Sequence, residues 1–92
     1  MHIEYNPYFR KNFGLIWDYI AKDSISRANS FKSKLKFTIQ NLKNFPYKYR
    51  QSNYYDDGNI RDLIFKGYTI PYLVDEEKNQ IVILDIFKWS HR

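Results

Sequence analysis

A chain of 92 residues makes one domain with a modest core and is too short for two. It has no cysteine, which excludes disulfide frameworks and thiolate metal sites, and neither a membrane-spanning apolar run nor signal-peptide character at Met1–Glu4, so a cytoplasmic domain is expected. The net charge of +5 is unevenly placed: between Ser24 and Tyr55 there is no Asp or Glu, while Arg27, Lys32, Lys34, Lys36, Lys43, Lys48 and Arg50 form a basic tract suited to an acidic protein or nucleic acid.

Ile3-Glu4-Tyr5 alternates apolar and polar positions and reads as a first strand. Asn6 can cap a helix and Pro7 suits its first position, where a missing N–H is not needed. Phe9, Phe13, Ile16, Trp17 and Ile20 then define one helical face, giving a helix from Pro7 to about Lys22. Gly14 inside it costs about 1 kcal/mol relative to Ala, which suggests close packing at that point. A second helix opens at Asp23 or Ser24, carries Ala28, Phe31, Leu35, Ile39 and Leu42, and stops at Asn44-Phe45-Pro46 because the residue before a proline is pushed out of the helical region. The short break between them makes an antiparallel helical hairpin.

Residues Tyr47 to Asn59 have no clean period and read as an ordered loop, with room for an extra strand between Tyr47 and Tyr55. The last third is organised as strands. Ile60–Phe65 and Tyr68–Val74 are rich in aromatic and β-branched residues and flank Lys66-Gly67, a two-residue hairpin loop. Pro71 cannot donate to a neighbouring strand, which places it at an edge or at a bulge. After the charged turn Asp75–Asn79, the run Gln80–Trp89 is apolar at nearly consecutive positions, the pattern of a strand in the middle of a sheet. The order strand, helix, helix and three strands gives an α+β domain spanning residues 1–92, with the N-terminal strand and helical hairpin on one face of a small antiparallel sheet.

Several of these segments together carry a resemblance. The opening Ile3-Glu4-Tyr5 comes first, then the helix ending Trp17-Asp18-Tyr19-Ile20-Ala21, then Ser24 with Arg27-Ala28-Asn29-Ser30-Phe31. Ile39-Gln40-Asn41-Leu42 before Phe45-Pro46 follows, then Ile60-Arg61-Asp62-Leu63, Tyr68–Asp75, Ile81–Leu84 and a basic His91-Arg92 ending. In this order they are similar to the RelE/ParE superfamily of bacterial toxins, the toxic halves of type II toxin–antitoxin pairs, and closer to its ParE-like branch. The resemblance implies a βααβββ fold, no cofactor or metal, inhibition of bacterial growth, and a cognate antitoxin as partner. The cellular target then divides the family. RelE-type members bind the ribosome and cut mRNA without a metal, which requires a proton acceptor and several cations around the phosphate; ParE-type members bind DNA gyrase. Where the nuclease pattern places cations, this chain resembles it only with Ile60, Asp62 and Thr69, so the gyrase reading is preferred.

Candidate site residues follow from both lines of reasoning. Arg61, Lys88, Trp89, His91 and Arg92 are the target-binding candidates; were the chain a nuclease, His91 would be the base and Arg61 and Arg92 the phosphate clamps. Arg61 is expected on the open side of the sheet, its alternative role being an ion pair with Asp62 or Asp85. For an acidic amphipathic antitoxin segment the candidates are Arg27, Lys32, Lys34, Lys36, Tyr47, Tyr49 and Arg50. The tyrosines of this set, with Tyr54 and Tyr55, also suit stacking on bases or sealing of the sheet edge. Three glycines form no phosphate loop, and no Ser-His-Asp set or histidine ligand spacing is present.

Overall fold

The computed structural model describes residues 1–88. Strand β1 (His2–Tyr5) leads into helices α1 (Pro7–Asp23) and α2 (Ile25–Gln40), and a 3₁₀ turn (Asn41–Lys43) ends the helical half. Strands β2 (Ile60–Phe65), β3 (Tyr68–Asp75), β4 (Gln80–Ile83) and β5 (Phe87–Lys88) follow. The expected α+β architecture is present. The sheet order is β1-β4-β3-β2, with β5 also on β3, and β1 joins β4 in parallel, which makes the sheet mixed.

Local chemistry sets the helix boundaries. The Asn6 side chain accepts from the backbone N–H of Tyr8, and Pro7 occupies the first turn. Ser24 alone separates the helices: its N–H donates to Ile20 at 3.0 Å, ending α1, while its hydroxyl accepts from Arg27, starting α2. In the hairpin loop Lys66 has φ 49° and Gly67 φ 85°, positive at both positions as a type I′ turn requires.

One face of the sheet packs on the helices. Cross-strand register puts Leu63 opposite Ile70, Tyr72 opposite Ile83 and Val74 opposite Ile81, and these side chains meet Phe9, Phe31, Leu35, Ile39 and Leu42 in the core. Trp17 does not belong to that core: it is half-buried beside it, whereas Phe13, Ile16 and Ile20 pack against it. The expected close packing at Gly14 is also absent, since a Cβ there would meet nothing within 4 Å. Gly14→Ala therefore removes a flexible residue from an exposed helical position without a clash. An increase of about 0.5–1 kcal/mol in urea-unfolding free energy is expected, and an unchanged or lower midpoint would show that the backbone there requires glycine.

The run from Gln80 onward is not one strand. β4 does lie inside the sheet, but pairing stops at Ile83 and resumes at Phe87, opposite Thr69. Between the pairs Tyr72–Ile83 and Thr69–Phe87, β3 contributes Ile70 and Pro71 while the other side contributes Leu84, Asp85 and Ile86. That extra residue is a bulge. The Pro71 carbonyl accepts from Leu84 at 2.9 Å, so the edge where proline lacks an N–H faces the interruption. Of the two expected settings for Pro71, the strand is interior and the bulge accommodates it. The Tyr47–Asn59 segment is a loop that only touches strand pairing: Gln51 bridges Arg61, Ser52 donates to Ile60 at 2.8 Å, and Asp62 donates to Arg50 at 3.1 Å, covering part of the outer edge of β2.

Candidate functional site

Where β1, α1 and α2 meet, the helical stripes diverge and leave an open groove of about 290 Å³. Its floor is Tyr5, Phe9, Phe13, Leu35 and Ile39, and its rim is Arg10, Lys32 and Lys36. The cations stand where the helical period places them: Lys32 and Lys36 are one turn apart on the flank of α2 beside the buried Phe31–Leu35–Ile39 stripe. Arg10 lies with its guanidinium 5.2 Å from the centre of the Tyr5 ring. Burial raises the Tyr5 phenol above its usual range, opposed by Gln40 and by Arg10. Such a groove can take apolar side chains on its floor and carboxylates on its rim. Beside it, β1 is an edge strand: the His2 backbone N–H donates to Asn79, just before β4, and the N–H of Asn6, just after β1, donates to Ile83 of β4.

Arg27, Lys34, Tyr47, Tyr49 and Arg50 lie elsewhere. Arg27 pairs with Asp23 at 3.3 Å at the hairpin tip, both groups exposed, and Lys34 stands on the opposite flank of α2 from Lys32 and Lys36. Tyr47 donates to Glu76 at 2.8 Å, and this bond is the main cause of its raised pKa. Tyr49 meets the Tyr72 ring edge-on at 6.5 Å, and Arg50 is exposed. Sequence reasoning missed Tyr5, Phe9, Arg10 and Phe13 as groove residues, although the alternation of Phe9 and Phe13 with Arg10 marks the margin of an apolar stripe.

Arg61 faces the helices, not the open side of the sheet. It shares its side of β2 with Leu63 and Phe65, and neither Asp62 nor Asp85 is its partner. Instead Nη1 donates to the Tyr49 carbonyl at 3.0 Å, Nε donates to the Gly58 carbonyl at 3.3 Å, and the guanidinium lies 5.0 Å from the centre of the Tyr47 ring. It ties both ends of the long loop to the sheet. Arg61→Ala should cost about 1–2 kcal/mol and increase proteolysis within residues 47–59; equal protease resistance would show that the loop holds itself. Lys88 is exposed with Nζ 5.3 Å from the centre of the Tyr68 ring. Trp89, His91 and Arg92 lie outside the described residues.

The open face of the sheet carries Ile60, Asp62 and Thr69, which are 8%, 1% and 0% exposed. The loop closes over them. Asn53 donates its backbone N–H to Asp62 Oδ2 at 3.1 Å, and the Tyr54 ring meets Phe87 edge-on at 5.0 Å. Burial, with Asp85 and Asp62 nearby, raises the Tyr55 phenol. By register, no Lys or Arg projects from this face among the described strand residues. Among the described residues there is also no cluster of metal-ligating side chains, and no helix is long and apolar enough to cross a membrane.

Comparison with known proteins places this geometry. The family described as the ParE toxin of type II toxin–antitoxin systems, parDE, matches residues 3–91. The chain belongs to that family. Among solved structures, it superposes on a chain from the chromosomal ParDE TA system of P. aeruginosa with TM-score 0.77 and 15% identity, covering 98% of this chain and 97% of that one. The isolated E. coli RelE toxin superposes with TM-score 0.66 and 13% identity, over 99% and 86%. No curated protein matches. At such identities the superpositions establish a shared RelE/ParE fold, with the ParE leaning coming from the family match. ParE membership implies a cognate antitoxin.

Proposed function

We propose that the chain is a single-domain cytoplasmic toxin that inhibits bacterial growth by binding DNA gyrase, and that an acidic amphipathic segment of its antitoxin occupies the groove of Tyr5, Phe9, Phe13, Leu35 and Ile39. The composition of the open sheet face carries the choice of target. Metal-free cleavage of RNA needs convergent cations to stabilise a charged phosphate, and this face presents Ile60, the Asp62 carboxylate and Thr69 beneath a closed loop. A buried carboxylate there repels a scissile phosphate. The ParE family supplies the gyrase expectation, with Arg61, Lys88, Trp89, His91 and Arg92 as the contact candidates first drawn from the sequence. Arg61, bound to loop carbonyls, would act by holding the loop in place.

Two assays separate the target readings. Purified toxin should inhibit gyrase supercoiling and leave mRNA on programmed ribosomes intact. Cut mRNA with unaffected gyrase would establish the RelE-like alternative, and inactivity in both assays would leave an interaction domain of the same fold.

The antitoxin part is tested by charge reversal. With the product of the neighbouring gene as partner, Lys32→Glu/Lys36→Glu should weaken binding by roughly 10- to 100-fold, mainly through slower association, and binding of the unmodified toxin should weaken as salt rises. Unaltered affinity would move the antitoxin off this groove.

A further inference from the structure

The flank of α2 turned away from the groove has a different chemistry. Lys34, Thr38 and Asn41 follow one another at helical spacings, with Phe37 beside Thr38. Phe37 and Phe45 are 69% and 68% exposed, and neither ring pairs with another aromatic group among the described residues. The two rings share a cleft of about 510 Å³ with Asn41, Leu42, Asn44 and Lys48, and the Lys48 ammonium lies 5.5 Å from the centre of the Tyr49 ring. Lys34, Lys43 and Lys48 are all exposed around it, and the chain has no carboxylate between Ser24 and Tyr55.

We propose that this face binds single-stranded nucleic acid. Phe37 and Phe45 stack on bases, Asn41 and Asn44 meet the base edges, and Lys34, Lys43 and Lys48 neutralise phosphates. Exposed rings on a positively charged strip are the elements of a sequence-tolerant single-strand site, because every base has an apolar face and every nucleotide an anionic one. An acidic peptide would match the charge equally well, but its apolar anchors gain most from an enclosed apolar floor, and the groove on the other flank of α2 supplies that. Here the cleft beside the rings mixes apolar residues with Thr38, Asn41, Asn44 and Lys48, a lining that suits a planar group with polar edges. A duplex keeps its bases stacked on each other and offers the rings nothing. The site lies apart from both the groove and the open sheet face, so its failure leaves the toxin reading untouched.

Fluorescence anisotropy of the full chain with a labelled oligothymidylate of about 12 nucleotides tests this. The chain should bind it at low ionic strength, and more tightly than the same length of duplex. Phe37→Ala/Phe45→Ala, both at exposed positions, should weaken binding by roughly 10- to 100-fold with an unchanged circular dichroism spectrum. Lys34→Gln/Lys48→Gln should reduce the slope of log affinity against log salt by about 0.7 per lysine. The proposal is overturned if the oligonucleotide does not bind, or if either double variant binds it like the unmodified chain. It is equally overturned if poly-glutamate displaces the oligonucleotide at equal charge and is itself bound through the two phenylalanines, which would make the face a peptide site.

Discussion

Replacing Phe31 by Ala should lower the unfolding free energy by about 3–5 kcal/mol, the usual cost of removing a buried ring whose space the surroundings cannot refill. Phe31 is 8% exposed and joins every layer of the molecule: its ring lies 6.2 Å from Phe13 of α1, 5.5 Å from Phe65 of β2 and 5.6 Å from Tyr68 of β3. Truncation therefore breaks contacts between both helices and the hairpin at once. A domain of this size has a total stability on the order of 5–15 kcal/mol, so the loss is a large share of it. Trp17→Ala, on the same helical hairpin but outside the core, should cost less than about 2 kcal/mol. Urea denaturation of the two variants side by side is the measurement. Equal losses would mean that the Trp17 ring is part of the core; a small loss for Phe31 would contradict the packing of α2 on the sheet.

That contrast shows which parts of the fold are written locally. Asn6, Pro7, Ser24 and Lys66-Gly67 act through their own backbone geometry, and each boundary they imply is where the structure has it. Trp17 misled because it sits at the margin of the α1 stripe, about 100° around the helix from Ile16, where the helix turns away from the core. The break after Ile83 was hidden for a related reason. Leu84 and Ile86 continue the apolar run, and only the pairing of Pro71 with the extra residue reveals that the strand stops. Nor could the facing of Arg61 be read, because β2 is apolar on both sides: Ile60 and Ile64 project one way, Leu63 and Phe65 the other. Within the groove, the split of Lys32 and Lys36 from Lys34 follows from the buried positions Ala28, Phe31, Leu35 and Ile39 and was legible. Arg10 is legible as lying at the margin of the Phe9–Phe13 stripe, but that it joins Lys32 and Lys36 around one groove depends on how α1 leans on α2, which no local pattern encodes.

Tyr72 makes the fold sensitive to alkali. It sits at the centre of β3, 0% exposed, and donates its hydroxyl to the Pro46 carbonyl at 2.6 Å, fastening the end of the helical half to the sheet. Burial pushes its phenol up to about 12 from the usual 10, against the opposing influence of the Tyr49 backbone and Arg61. Below pH 10 the phenol is protonated in both the folded and the unfolded chain, and its contribution is constant. Above pH 10 the unfolded chain releases the proton while the folded chain retains it, so unfolding is favoured progressively until the folded group also titrates near pH 12. A shift of this size corresponds to about 2–3 kcal/mol over that interval. Tyr5, Tyr49 and Tyr55 are raised by burial as well and add to the same slope. Unfolding free energies measured between pH 9 and pH 11.5 should therefore fall steeply in the unmodified chain. In Tyr72→Phe they should start lower, because the Pro46 carbonyl loses its donor, and then fall less steeply. Parallel pH curves for the two proteins would mean that Tyr72 ionises as freely in the folded state as in the unfolded one, and the buried hydrogen bond to Pro46 would have to be abandoned.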